Sequence, residues 1–137
     1  ICIVGAGPVG LFAVFEAGLL KMRCHVVDAL PVVGGQLAEI YPKKPIYDIP
    51  GFPSILAGEL VDNLMKQIEP FHPTFTLGER VENLDKQEDG SFIVRTSEGT
   101  EIACKAVVTS TAFLPGCLAT TRVTAGLCCN LPSCNCR

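Results

Sequence analysis

The chain has 137 residues, enough for one domain of ordinary size. Its residues are 48% hydrophobic and 18% charged, a composition typical of a globular protein rather than a disordered one. A net charge of -3 argues against a nucleic-acid-binding protein, and no apolar run reaches the roughly 18 residues that a membrane span needs. The sequence opens without Met or a signal-peptide pattern, so we expect a chain trimmed at its front, located in the cytoplasm and not bound to membranes.

An apolar strand at the start of the chain ends in a glycine-rich turn. Gly5, Gly7 and Gly10 have the spacing G-x-G-x-x-G, with Pro8 inside it. An almost wholly apolar helical pattern follows over residues 11–20, as expected of a helix buried against a sheet. Such a turn leaves backbone N-H groups free at the helix start, where the dipole favours negative charge. The pattern therefore predicts a pyrophosphate site.

Each glycine of this turn has a steric reason in a dinucleotide site. We assign Gly5 to the tight turn, Gly7 to the close approach of a phosphate and Gly10 to helix–strand packing. A second predicted strand, residues 24–28, ends in Asp28, within about 20 residues of the turn, where the fingerprint places a carboxylate for a ribose hydroxyl. The alternative is an ordinary turn with incidental glycines. The agreement of strand, turn, helix, strand and acid favours an adenine dinucleotide.

The segments that follow are predicted to be irregular. Residues 29–42 contain a proline and a glycine pair that break regular structure, and they belong at the ligand edge of the sheet. Gly35 lets the backbone approach a ligand, and the Gln36 amide can donate and accept hydrogen bonds; the alternative is a turn with a solvated glutamine. Residues 43–53 hold three prolines and are predicted to be extended or irregular. Their length favours a functional role.

An amphipathic helix is predicted over residues 57–71. The apolar side chains at helical spacing are Leu60, Val61, Leu64, Met65 and Ile68. Pro70 and Pro73 end the helix, and His72 between them is expected to be solvated. We expect this helix to be structural.

After the helix, the spacing of the apolar residues changes to the two-residue period that is typical of strands. Short strands are predicted over residues 74–77, 80–84, 92–96 and 100–104, forming a small antiparallel meander. An apolar strand over residues 105–109 is predicted to return to the parallel sheet. The fold class that we predict is α/β: a Rossmann-like half-domain with a parallel sheet plus an antiparallel β-meander, followed by an irregular Cys-rich tail.

The eight cysteines are unevenly distributed. Cys2, Cys24 and Cys104 lie in or beside predicted strands, where a free cysteine behaves as a small apolar residue. The other five lie in the last 21 positions, at Cys117, Cys128, Cys129, Cys134 and Cys136. They lack the paired C-x2-C knuckles and the histidine of common zinc sites. We therefore prefer a foreign, flexible continuation over a metal or redox cluster.

Three segments, residues 4–10, 34–37 and 41–53, together resemble a known family. They are similar to the amino-terminal part of the bacterial thioredoxin-reductase-like ferredoxin–NADP reductases. The first two are shared with thioredoxin reductases proper, whereas Tyr-Pro-x-Lys-Pro-Ile-Tyr-Asp in the third separates the two groups. The resemblance covers residues 1–108. Residues 109–137 form an unrecognised tail, and Phe113 is assigned no role.

The resemblance implies noncovalently bound FAD. Asp28 would hold the adenosine ribose, Gln36 and Tyr41 would lie along the flavin half with Tyr41 packed on the isoalloxazine, and the Val81 backbone would contact the adenine. The predicted cofactor-binding residues are Gly5, Gly7, Pro8, Gly10, Asp28, Gly35, Gln36, Leu37, Tyr41 and Val81. Because the flavin performs the chemistry, we predict no catalytic side chain and no metal ligand.

In this family a hydride passes from NADPH to FAD and single electrons then pass to ferredoxin, and the intact enzyme is a homodimer. The chain carries one glycine fingerprint where such a reductase needs two. We therefore expect residues 1–108 to be the first part of the FAD domain, inactive without the NADPH domain and the carboxy-terminal FAD segment. The alternatives are a thioredoxin reductase fragment, a single NAD-binding module, against which the loop at residues 34–53 argues, and a non-enzymatic truncated chain.

Overall fold

The structure, a computed structural model, describes residues 1–110. The expectations for the Cys-rich tail and for Phe113 lie outside the described residues. The strands are β1 (Cys2–Val4), β2 (His25–Asp28), β3 (Pro45–Ile46), β4 (Ile55–Leu56), β5 (Thr74–Leu77), β6 (Val81–Lys86), β7 (Phe92–Thr96), β8 (Glu101–Cys104) and β9 (Val107–Thr109). The helices are α1 (Pro8–Leu19), α2 (Gln36–Glu39) and α3 (Ala57–Ile68), and a 3₁₀ turn (Glu69–Phe71) follows α3.

A four-stranded parallel sheet forms the middle layer, with strand order β5-β2-β1-β9. Side chains alternate between its faces, so Ile3 and Val26 are buried against the helices while Cys2 and Val27 are buried on the other side. Because both faces are covered, β1 is apolar throughout and β2 is apolar at its two central residues, Val26 and Val27. The α/β class with a parallel sheet and a separate antiparallel meander is confirmed.

Helices α1 and α3 pack together on one face of the sheet. The buried side chains of α1 are spaced to face β1 and α3, and those of α3 follow the predicted stripe; they are Leu11, Val14, Ala17, Leu60, Val61 and Ile68. The opposite face of α1 leaves Phe12 and Leu19 exposed, as is Leu20 directly after the helix, although the sequence predicts a buried helix. The helix is therefore apolar on both faces but covered on one.

The antiparallel sheet β6-β7-β8 covers the other face of the parallel sheet. Val81, Val94 and Ile102, one from each strand, form a second core with residues of β1 and β2. Strand β9 then returns to the parallel sheet, as the sequence predicts, and it lies beside β1 with Ile3 opposite Val108. Strand β9 ends at Thr109, so the domain boundary predicted after residue 108 falls within this strand. That domain boundary stays a prediction.

Two elements differ from the sequence prediction. Residues 74–77 belong to the parallel sheet beside β2, not to the meander, because Phe75 and Leu77 pack against the core under the helices. Helix α3 supplies the crossover that joins the two parallel strands. In the loop predicted to be irregular, Gln36–Glu39 form the short helix α2 after the N-cap Gly35, because glutamine, leucine, alanine and glutamate are all good helix formers.

Candidate functional site

The β1–α1 turn lies at the carboxyl edge of the parallel sheet. Its backbone has the tight turn predicted at Gly5 and the close helix–strand packing predicted at Gly10. Gly5 has φ +109°, a conformation that residues with a Cβ rarely adopt, and its N-H donates to the Val27 oxygen at 2.8 Å. A Cβ on Gly10 would lie 1.9 Å from the Gly5 oxygen. Gly5 therefore makes the turn, and Gly10 lets α1 start directly against it.

The start of α1 leaves open space at Gly7. Gly7 is the N-cap, with extended backbone at φ -71° and ψ 178°, and no side chain caps the helix. Pro8 fills the first helical position, where its missing N-H is not needed. A Cβ on Gly7 would meet no atom within 4 Å among the described residues. The first-turn N-H groups thus border free space that suits an anion.

The second glycine pair lies against the first turn. The Gly34 N-H donates to the Ala6 oxygen at 2.8 Å, and a Cβ on Gly35 would lie 3.3 Å from the Gly7 Cα. Gly35 also has φ +58°. Gln36 follows at the start of α2 with its side chain exposed, and Leu37 packs partly into the helix-side core. The structure therefore brings Gly35, Gln36 and Leu37 to the same edge as the glycine turn.

Asp28 connects these two loops. Its Oδ2 accepts the Ala6 N-H at 2.5 Å and its Oδ1 accepts the Leu30 N-H at 2.9 Å. The carboxylate is half-buried at the end of β2, beside the turn. Each oxygen has a further lone pair, so these bonds leave acceptor capacity for a ligand hydroxyl. The ribose contact of Asp28 stays a prediction.

The turn between β5 and β6 brings Val81 towards the same edge. The N-H groups of Gly78 and Glu79 donate to the oxygens of Leu30 and Asp28, at 3.0 and 3.1 Å. The Val81 side chain is buried in the second core, so only its backbone is available to a ligand at this edge. Its predicted adenine contact stays a prediction.

Tyr41 lies on the surface after α2, and its side chain is 51% exposed. Its carbonyl accepts the Lys44 N-H at 3.0 Å, and the Lys44 amine lies 5.4 Å from the ring centroid. This cation–π contact leaves one ring face available. The predicted packing of Tyr41 on a flavin stays a prediction.

Ser110 is a residue of this edge that the sequence reasoning missed. Its N-H donates to the Val4 oxygen at 2.9 Å, and its hydroxyl lies 3.0 Å from the Gly5 oxygen and 3.1 Å from the Val4 oxygen. The sequence predicts the return of β9 to the sheet, but it carries no signal for which strand β9 would join. The contact depends on β9 lying beside β1.

The described cysteines are unsuited to thiolate chemistry. Burial, with the nearby Cys104 next in importance, raises the pKa of Cys2 to about 12, and burial also raises the pKa values of Cys24 and Cys104. A raised thiol pKa disfavours the nucleophilic thiolate. No group of three metal-ligating side chains occurs within residues 1–110. In the same range, no helix has the length and apolar character required to cross a membrane.

Comparison with known proteins relates the chain to curated reductases. It is 72% identical over 108 residues to ferredoxin–NADP reductase 1 of Christiangramia forsetii, a match that covers 79% of this chain and 31% of the relative. It is 70% identical over 101 residues to the ferredoxin–NADP reductase of Flavobacterium johnsoniae, covering 74% of this chain and 29% of the relative. The chain thus spans about a third of the length of the curated relatives it matches. No protein-family model matches it.

The fold is also similar to solved structures. Thioredoxin reductase of T. acidophilum superposes with a TM-score of 0.66 at 27% sequence identity, over 79% of this chain and 33% of that protein. The similarity extends over the same share of the chain as the C. forsetii match. Both of these matches therefore cover about four-fifths of the chain.

Proposed function

We propose that this chain, which is similar to part of the bacterial ferredoxin–NADP reductases of thioredoxin-reductase type, contributes the pyrophosphate and adenosine half of an FAD site. The observation that carries the proposal is the open space at Gly7, which borders the first turn of α1 and lies next to Gly35. The 72% identity to a ferredoxin–NADP reductase supports that family over the thioredoxin reductases, for which the structural match has 27% identity.

The residues at the sheet edge fit an FAD molecule. Gly7 leaves the volume that a Cβ would fill, which a phosphate needs for close approach to the backbone. The Asp28 carboxylate retains acceptor capacity beside the turn, where a ribose hydroxyl can donate to it. Gly5, Pro8 and Gly10 shape the turn, and the Val81 backbone supplies an edge for the adenine. The site thus offers backbone N-H donors to the phosphates and a carboxylate acceptor to the sugar.

We assign the flavin half of FAD to the segment that follows Gly35. Gln36 and Tyr41 are exposed on the chain that leaves Gly35, where an amide can hydrogen-bond the ring system and an aromatic face can pack on it. Leu37 anchors this loop in the core. When bound, FAD supplies the redox chemistry of these reductases, which is two-electron reduction by NADPH and one-electron delivery to ferredoxin. The chain's own residues bind and orient it.

Partners follow from the same proposal. The names of the relatives contain ferredoxin and NADP. We propose ferredoxin as the electron acceptor and NADPH as the electron donor of the protein to which this segment contributes. We also propose a homodimeric, cytoplasmic enzyme. Because the chain spans about a third of its relatives, we propose that residues 1–108 do not turn over alone.

Purification of the 137-residue chain tests the proposal. Flavin absorbance in the purified protein, or uptake of added FAD with quenching of its fluorescence, is the expected result. FMN is the matched control ligand because it has the isoalloxazine but lacks the pyrophosphate and adenosine, and it should bind at least about tenfold more weakly, or ~1.4 kcal/mol. Equal affinity for FMN and FAD, or no binding of FAD, contradicts the proposed site.

A further inference from the structure

We propose that Ser110 and Asp28 together clamp one peptide group, the one between Gly5 and Ala6, and that Ser110 is thereby a positioning residue for the pyrophosphate seat. The clamp is a feature of the chain itself, and its effect on the cofactor rests on the proposed function. Neither the glycine pattern nor the family resemblance assigns Ser110 a role.

The Gly5 carbonyl lies in a confined place. Gly5 is buried, and its oxygen is so close to α1 that a Cβ on Gly10 would lie 1.9 Å from it. The Ser110 hydroxyl lies 3.0 Å from this oxygen and 3.1 Å from the Val4 oxygen, and its single proton can serve one of them fully. The Val4 oxygen already accepts the Ser110 N-H, whereas the Gly5 oxygen has no other donor among residues 1–110. A buried carbonyl that loses its donor keeps the full cost of its desolvation. The Ser110 hydroxyl thus satisfies a polar atom at the floor of the turn.

The other end of the same peptide group is held from the opposite side. Asp28 Oδ2 accepts the Ala6 N-H at 2.5 Å. Because a peptide group is planar, its C=O and N-H point in opposite directions and rotate as one unit. Rotation of the Gly5–Ala6 peptide would therefore break both hydrogen bonds. It would also point a carbonyl oxygen towards a carboxylate.

The two clamping residues are positioned by the sheet. Asp28 ends β2 and Ser110 directly follows β9, and these strands flank β1 on its two sides. Pairing of Val4 with Thr109, followed by the hydrogen bond from Ser110 N-H to Val4, fixes the backbone at Ser110. The crevice where the chain switches from one side of β1 to the other is the usual ligand position in such sheets. Gly7 comes two residues after the clamped Gly5. The clamp therefore fixes the direction in which the first N-H groups of α1 point.

Hydrogen exchange at the Ala6 amide tests the clamp without any ligand. Ser110→Ala should accelerate exchange at Ala6 by about fivefold or more, the equivalent of one net hydrogen bond. Ser110→Thr, which keeps the hydroxyl, should restore protection. Ser91→Ala is the matched control, because the Ser91 hydroxyl bonds Asp89 in an exposed turn of the meander, at 2.6 Å. Unchanged exchange at Ala6 in Ser110→Ala overturns the clamp.

Ligand affinities then test the positioning role. Ser110→Ala should weaken FAD and ADP by about fivefold while leaving adenosine within twofold, because only the first two carry a pyrophosphate. Equal weakening of all three ligands would mean a generally destabilised fold and would contradict positioning. If the unmodified chain binds no FAD while Ser110→Ala still exposes Ala6, the proposed function fails and the clamp stands.

Discussion

Replacing Gly7 with alanine separates folding from cofactor binding. Gly7 has φ -71° and ψ 178°, which alanine adopts without strain, and the new Cβ would meet no atom within 4 Å. The lower entropy of the unfolded chain favours alanine by about 0.4–1 kcal/mol. Because Gly7 is the N-cap of α1 and glycine is preferred over alanine there, a loss of similar size opposes that gain, and the unfolding free energy should change by less than about 1 kcal/mol. The space and the backbone conformation at Gly7 both accept alanine, so a large loss of FAD affinity in this variant would reflect what approaches the residue rather than the fold.

The expected cost appears when FAD binds. The new methyl group occupies the space where a phosphate approaches the first turn of α1, so at least one charge-assisted hydrogen bond to the backbone is lengthened or lost. Such bonds contribute about 1.5–3 kcal/mol, which corresponds to FAD affinity lower by roughly 10- to 150-fold. Titration of the chain with FAD, followed by flavin fluorescence, measures the affinity, and urea unfolding followed by circular dichroism measures the stability.

Gly10→Ala provides the contrast. Its Cβ would lie 1.9 Å from the Gly5 oxygen, a backbone atom that can move only with the turn. This variant should lose about 1–3 kcal/mol of stability as well as FAD affinity, as overpacked sites do. Gly7→Ala that binds FAD as tightly as the unmodified chain would refute the reasoning, because the seat would then not need the empty volume.

Three further outcomes are expected. Leu11→Ala, at a fully buried site, should cost about 2–5 kcal/mol of stability, whereas Leu20→Ala, 71% exposed, should stay within about 0.5 kcal/mol; equal losses in urea unfolding would contradict the packing. Burial, and then the amino-terminal charge, lower the pKa of His25 below its ordinary 6.5. The His25 contribution to stability should therefore be complete above pH 6.5 and be lost as the pH falls through the lowered pKa, and His25→Asn should flatten this slope in urea unfolding measured across that range. The purified chain should not oxidise NADPH in a steady-state assay, and measurable turnover would overturn the proposal that it is inactive alone.

Local patterns in the sequence predicted much of the fold. The stripe from Leu60 to Ile68 predicted α3, and the apolar run at residues 105–109 predicted a returning strand. These predictions succeed because helix and strand periodicity is a property of neighbouring residues. The assignment of residues 74–77 to the meander was wrong, since strand pairing is decided by the crossover helix and by which core the strand's side chains enter.

In the candidate site, too, some features could be predicted from the sequence and others could not. Steric demands at Gly5 and Gly10 follow from glycine spacing and are confirmed by the positive φ of one and the 1.9 Å contact of the other. The bond from Ala6 to Asp28 and the bond from Ser110 to Gly5 join residues more than 20 and 100 positions apart. No local pattern encodes such contacts, because they depend on strand order and register. Helix α2 was missed because the glycine pair was read as ending all regular structure.

Chemical-shift changes in the backbone amides of the labelled chain on addition of FAD test the central claim most directly. The account predicts the largest changes at Gly7, Val9 and Gly10, smaller ones at Val81, and none in the meander turn around Ser91. It also predicts that ADP reproduces the changes at the glycine turn. Changes absent from Gly7 to Gly10, or concentrated away from the carboxyl edge of the parallel sheet, would contradict the claim that this turn holds the FAD pyrophosphate.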